Sequence, residues 1–196
     1  MRKVGITGGI GSGKSTLCAL LAERGVAIYD CDAAAKRLMN DEPLRGAIIA
    51  RFGAESYTDE GLNRAYLAQQ IFGDPEAMAA MNGLVHPAVI ADFERWADEQ
   101  EGDYVVVESA ILFEAGFGDH LDAVVAVLAP ERLRLERAMR RDGANEEAIR
   151  SRMATQLSDD ELSSRADIVV VNILEDELAS SAEDLDRRLK YWATNA

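Results

Sequence analysis

A chain of 196 residues, 48% hydrophobic and 29% charged, has the make-up of a folded globular protein and can bury a sizeable core, as one domain or as a core domain with insertions. Its 35 Asp and Glu against 21 Lys and Arg give a formal charge of −14, which excludes a global positive field for nucleic acid or an anionic membrane, while a local basic pocket can still hold a small anion. Met1-Arg2-Lys3-Val4 runs into glycines with no apolar signal stretch, the longest apolar run (Ala123 to Ala129) is too short for a bilayer, and Cys18 and Cys31 fit neither a disulfide framework nor a zinc spacing with His86 or His120, so a cytoplasmic chain with two reduced thiols is expected.

Val4 and Ile6 mark a strand near 3–7, followed by glycines at 8, 9, 11 and 13. Ser15 to Arg24 carries Leu17, Leu20 and Leu21 at helical spacing and stops at Gly25. A second strand near 26–30 ends in Asp30-Cys31-Asp32, closing a βαβ unit. Residues 33–100 read as mostly helical, with turn breaks at Pro43, Gly53, Gly61, Gly73-Asp74-Pro75, Gly83 and Pro87 and no strong strand. Further strands are predicted near 104–108, 124–128 and 168–172, with helices over Pro130–Arg141, Glu146–Leu157 and Asp176–Trp192 and a break at Ser158 or Asp159. The pattern predicts an α/β fold: a five-stranded parallel sheet flanked by helices, with ligands at the carboxyl ends of the strands. The division follows: a nucleotide-binding core of 1–32, 101–135 and 161–196, a helical substrate-binding insertion over 33–100, and an Arg-rich helical lid over 136–160. Phe93, Trp96, Tyr191 and Trp192 read as packing residues.

Gly8-Gly9-Ile10-Gly11-Ser12-Gly13-Lys14-Ser15 matches G-x-x-x-x-G-K-[ST] at every defined position, and it lies between a predicted strand and a predicted helix, as the P-loop requires. The glycines let consecutive N–H groups point inward, and the helix N-terminus adds positive potential. Gly9, Gly11, Ser12, Gly13, Lys14, Ser15 and Thr16 are therefore the candidate ATP-binding set, with Lys14 on the β- and γ-phosphates and the Ser15 hydroxyl on Mg²⁺. Neither N-K-x-D nor D-x-x-G occurs, which argues against a GTPase switch and for a small-molecule kinase. Such an enzyme needs an acid for the acceptor hydroxyl, arginines for the phosphoryl charge and a lid against water. Asp32 and Asp30 both follow the second strand, and only one need be the base. The stretch 132–152 holds seven arginines against four acids. Arg137 and Arg141 share one helix face and are expected on phosphate, whereas Arg132 and Arg134 read as a solvated face with pairs such as Glu136 with Arg140. Glu108, at a strand end, resembles the acid that holds a Mg²⁺ water.

Thr7 to Thr16 (TGGIGSGKST), Asp30-Cys31-Asp32, Gly61-Leu62-Asn63-Arg64, Met81-Asn82, His86-Pro87, Ile111-Leu112-Phe113-Glu114, Arg141-Asp142, Arg152 to Gln156 and Ala166-Asp167 to Asn172 together resemble the dephospho-CoA kinases, in order and over nearly the whole chain. The resemblance implies ATP-dependent phosphorylation of the ribose 3′-hydroxyl of dephospho-CoA, the last step of coenzyme A synthesis. It implies Asp32 as general base, Lys14 and Arg141 as stabilisers of the transferring charge, Asn172 near the adenine of ATP, and Asp32, Arg64, His86 and Glu108 on the substrate side. It departs from the family at Ala110, usually Pro, at Ile111, usually Leu, at Asn63, more often Asp, and after Asn172, where Ile173-Leu174 replace a usual glycine. No nucleic-acid or membrane partner is expected; a monomer is, with an oligomer left open. The rivals are a P-loop kinase of a nucleoside monophosphate or small alcohol, and an ATP-sensing regulator without transfer.

Overall fold

The computed structural model describes residues 1–195, apart from the side chains of residues 175 and 176. The chain forms two compact units, Met1–Tyr29 with Glu99–Ala196, and Asp30–Asp98. In chain order it begins β1 (Arg2–Thr7), α1 (Lys14–Ala22) and β2 (Ala27–Asp30). The second unit then runs α2 (Cys31–Leu38), α3 (Leu44–Phe52), a two-residue hairpin of β3 (Tyr57–Thr58) and β4 (Gly61–Leu62), α4 (Arg64–Ile71) and α5 (Pro75–Asp98). The chain returns to the first unit with β5 (Tyr104–Glu108), β6 (Ala123–Leu128), α6 (Glu131–Asp142), α7 (Glu146–Met153), α8 (Asp159–Arg165), β7 (Ile168–Val171) and α9 (Glu175–Asn195).

The main sheet has the order β2-β5-β1-β6-β7 and is parallel, with Val4 opposite Val106, Ile6 opposite Val125 and Val127 opposite Val170. Its strands β5 and β6 are nearly continuous apolar runs because both faces are covered. Gly5 sits mid-sheet because a Cβ there would lie 2.6 Å from Leu121 and 2.7 Å from Leu112. On one face Leu17, Cys18 and Leu21 of α1 and Leu178, Ala182, Leu185 and Leu189 of α9 close over Val4, Ile6, Val106, Val125, Val127 and Val170. Each fully buried Leu or Val in that layer is worth about 1.5–3 kcal/mol. Asp186 is drawn under the same helix and accepts from Tyr104 Oη at 2.9 Å, Lys190 Nζ at 3.0 Å and Arg24 Nε at 3.3 Å.

In the second unit α5 buries Ala77, Met81, Val85, Val89, Phe93 and Ala97, one every four residues, and packs on α2, α3 and α4. The expected breaks at Gly83 and Pro87 do not form: one helix runs through both. Proline removes one backbone bond, to the carbonyl four residues back, but a stripe of six buried side chains outweighs that single loss. Asp92 on α5 pairs with Arg37 of α2 and with Arg95.

Two further expectations are corrected. Ser158 is not a mere break: its hydroxyl and the Glu161 carboxylate form a reciprocal capping box that starts α8, so the preceding helix ends at Met153. Within 33–100, read as holding no strong strand, the structure has only the two-residue strands β3 and β4 among the described residues. Tyr191 is 71% exposed, because the buried stripe of α9 runs through Leu185 and Leu189, whereas Phe93 is buried and Trp192 packs on the core with the Arg2 guanidinium 5.1 Å from its ring. Cys18 and Cys31 are buried and form no disulfide. Among the described residues no helix is long and apolar enough to cross a membrane.

Candidate active site

The loop between β1 and α1 is shaped by its glycines. Gly8, Gly11 and Gly13 have φ of 147°, 77° and 102°, a region that side chains rarely enter. A Cβ at Gly11 would sit 2.1 Å from the Arg134 carbonyl oxygen, and one at Gly13 2.1 Å from Asn172 Nδ2. Gly13 is the N-cap of α1 and no side chain caps that helix, which leaves its first-turn donors for a ligand. Lys14 is buried, and its ammonium donates back to the Gly9 carbonyl at 3.4 Å. Ser15 and Thr16 are exposed at the head of the helix. The Ser15 hydroxyl donates to Glu108 Oε1 at 3.1 Å, so the head of α1 and the end of β5 meet in a hydroxyl–carboxylate pair, the all-oxygen donor chemistry that suits Mg²⁺.

Above the loop is a cavity of about 550 Å³ lined by Gly11, Gly13, Lys14, Ser15, Thr16, Arg137, Arg140, Arg141 and Asn172, with Ala138 and Leu178 as its apolar wall. Among the described residues four cations and no carboxylate line it, in a chain of net charge −14. Asn172 is 3% exposed and its Nδ2 donates to the Ser12 carbonyl at 2.8 Å, so it clamps the loop from the end of β7. Arg137 Nη1 and Nη2 donate to the Asn172 and Ile173 carbonyls at 3.1 and 3.3 Å, which ties α6 to the same segment. Arg141 holds Asp142 through two bonds, at 2.7 and 3.3 Å, and Arg152 reaches the same carboxylate at 3.0 Å. The hydrogen bond to Asp142 raises the Arg141 pKa, with Glu108 adding to it, and the bond from Arg141 is the first cause of the lowered Asp142 pKa.

The structure thus brings Gly11, Gly13, Lys14, Ser15, Thr16, Arg141 and Asn172 around one cavity, with Glu108 bonded to Ser15. Gly9 and Ser12 are part of the loop but do not line the cavity; Gly9 lies against the Arg134 guanidinium and Ser12 is fully buried. Asp32, Arg64 and His86 belong to the second unit, in the first turn of α2, at the first residue of α4 and mid-way along α5. Asp32 and Arg64 are exposed, and burial lowers the His86 pKa. Asp30 and Asp32 are distinguished: the Asp30 carboxylate accepts from the Ala33 N–H at 3.0 Å and caps α2.

Arg134 overturns its solvated reading. It is 9% exposed, donates from Nε to the Ala129 carbonyl at 3.1 Å and pairs with Asp159 at 3.4 Å. Its position was legible: it stands four residues before buried Ala138, on the buried stripe of α6. Arg132 is exposed as expected, yet Glu136 accepts from it rather than from Arg140, at 2.9 Å. Among the described residues no group of three or more His, Cys, Asp or Glu is placed to hold a metal ion.

A cavity of this charge at the carboxyl end of a central parallel strand suits phosphoryl groups, and the sheet around it has the α/β fold of the P-loop kinases. Comparison with known proteins narrows the class. The family model described as dephospho-CoA kinase matches residues 2–176. A dephospho-CoA kinase of Salinibacter ruber is 44% identical over 98% of this chain and 98% of its own. The crystal structure of a Thermus thermophilus protein superposes with a TM-score of 0.85 at 33% identity, covering 95% of this chain and 96% of that one. A dephospho-CoA kinase from Campylobacter jejuni shares the fold, with a TM-score of 0.70 at 21% identity over 96% and 97% of the two chains. The chain belongs to the dephospho-CoA kinase family.

Proposed function

We propose that the cavity over the phosphate loop holds the triphosphate of ATP while the 3′-hydroxyl of dephospho-CoA receives the γ-phosphoryl group. Phosphorylation of dephospho-CoA with ATP is the activity of the family to which the chain belongs. The observation that carries the placement is the cavity's lining of four cations above an uncapped helix N-terminus. In the reaction the acceptor oxygen forms a bond to the γ-phosphorus, the bond from that phosphorus to the β–γ bridging oxygen breaks, and ADP leaves. The hydroxyl proton passes to the Asp32 carboxylate, which no other hydrogen bond occupies among the described residues, whereas that of Asp30 is spent on its cap. Loop amides and Lys14 hold the β- and γ-phosphates, and Arg141 neutralises charge that develops on the equatorial oxygens. Mg²⁺, held through Ser15 and Glu108, would supply further neutralisation of the phosphates. Asn172 is assigned to the adenine side, and Arg64 and His86 to dephospho-CoA, within a substrate-binding segment of residues 33–100. Residues 136–160 are assigned as the lid, a monomer as the working form and the cytoplasm as its compartment.

The test is a product-resolved phosphorylation assay with dephospho-CoA, AMP, CMP and shikimate. Coenzyme A and ADP in equal amounts from dephospho-CoA alone is the expected result. Turnover of a monophosphate or of shikimate, with none of dephospho-CoA, overturns the acceptor assignment. ATP binding with no product from any acceptor favours a sensor.

A further inference from the structure

We propose that Arg134 and Gln156 form a clasp on the phosphate loop that keeps its amides in their anion-binding shape, so that Arg134 is a positioning residue for ATP. The proposal rests on the reading of that loop as the ATP phosphate site. Three consecutive loop residues lie against α6 and the segment that leads into α8, and the middle one is hydrogen-bonded to it. At Gly9 the Arg134 guanidinium lies so close that a Cβ would sit 1.9 Å from Nη1. At Ile10 the backbone N–H donates to Gln156 Oε1 at 2.8 Å, and the side chain packs into a cluster with Leu135, Ala138 and Ile149. At Gly11 the Arg134 carbonyl oxygen would be 2.1 Å from a Cβ.

Arg134 does not line the ATP cavity; with Gln156 and Asp159 it lines a different cavity of about 540 Å³. It therefore acts through the loop rather than on phosphate. An arginine is rarely buried unless paired, and this one is held in three directions: Nε on the Ala129 carbonyl, Nη2 toward Asp159 and Nη1 against Gly9. A planar fork spans those directions, and a lysine ammonium does not. Anchoring the loop before ATP arrives removes the ordering cost that binding would otherwise meet. Because Asp159 is the first residue of α8 and Gln156 lies between α7 and α8, the clasp also ties the loop to the proposed lid.

The test compares the wild-type full chain with Arg134→Met, Arg134→Lys, Gln156→Ala and the Arg134→Met/Gln156→Ala double variant. Calorimetry reads ADP affinity, steady-state kinetics read kcat and both KM values, and scanning calorimetry reads the thermal midpoint. The expected result is an ADP Kd and ATP KM raised about tenfold by Arg134→Met and severalfold by Gln156→Ala, with KM for dephospho-CoA unchanged. Arg134→Lys should restore little of the loss, and the double variant should lose less than the two singles combined. ADP Kd and ATP KM at wild-type values in Arg134→Lys and Gln156→Ala overturn the clasp, whatever the thermal midpoints do. These two variants decide the matter even if Arg134→Met fails to fold. ADP binding needs no acceptor, so an error in the acceptor leaves this readout intact, and a wild-type chain that fails to bind ADP sinks the phosphate-loop reading and the clasp with it.

Discussion

Lys14 and the pair Asp30 and Asp32 are where single side chains decide the chemistry. The Lys14 ammonium rests on the Gly9 carbonyl, within the loop it serves, so Lys14→Ala is expected to lower kcat by ~10²-fold or more in a steady-state assay. The acids separate by their bonds. Asp30→Ala removes the cap of α2, which should cost about 1 kcal/mol in denaturant unfolding and leave turnover near wild type. Asp32→Asn should lower kcat by ~10²–10⁴-fold and leave ADP affinity in place. The reverse pattern would move the base to Asp30. By their position the two acids are equivalent strand-end carboxylates, and in the sequence only the family resemblance favours Asp32; the bond that Asp30 accepts from the Ala33 N–H separates them physically, and it depends on the backbone geometry where α2 begins. Arg134 shows the opposite case: its place on the stripe was readable, but a charged residue at an apolar position is easily taken for a solvated one.

Among the elements, those built by a strong period were legible and those built by local bonds were not. β5 and β6 are dense apolar runs, β1 alternates Val4 and Ile6 ahead of the glycine loop, and α1 and α9 carry leucines at helical spacing, so each was placed from the sequence to within a few residues. α5 was cut into pieces because glycine and proline suggest breaks locally, whereas the six-residue stripe that holds it together extends over its whole length. α8 spans seven residues, too few for a period to show, and is started by its capping box. Ser158→Ala removes the hydroxyl half of that box and should cost about 1 kcal/mol in denaturant unfolding.

For the molecule as a whole, acid is the predicted weakness. Burial pushes Asp122 and Asp186 upward, but bonds from Lys3 and Arg2 to the first and from Lys190, Tyr104 and Arg24 to the second outweigh it and hold both carboxyls below their usual range. A carboxyl with a depressed folded pKa stabilises fully above its unfolded value and loses that contribution as pH falls through the folded one, so this part of the stability fades below about pH 4. His86 works earlier: burial lowers its pKa, the unfolded chain takes up the proton first, and stability begins to fall as pH drops through about 6.5. The thermal midpoint should therefore decline in two stages between neutral and acid pH in scanning calorimetry, with His86→Gln flattening the first and Asp186→Asn the second.

The last strand of the sheet leaves one of its faces bare: Val169 and Val171 are 39% and 58% exposed, and Ile173 and Leu174 extend the apolar strip beyond the strand. Strips of this kind make warmed or concentrated samples clump, since pairing with the strip of a neighbouring molecule takes apolar surface out of water. Turbidity on heating should start at a lower temperature as protein concentration rises, and Val169→Lys should delay it through added charge while leaving nucleotide binding alone. Shelf life of the purified enzyme would then be limited by the bare side of the strand that leads to Asn172.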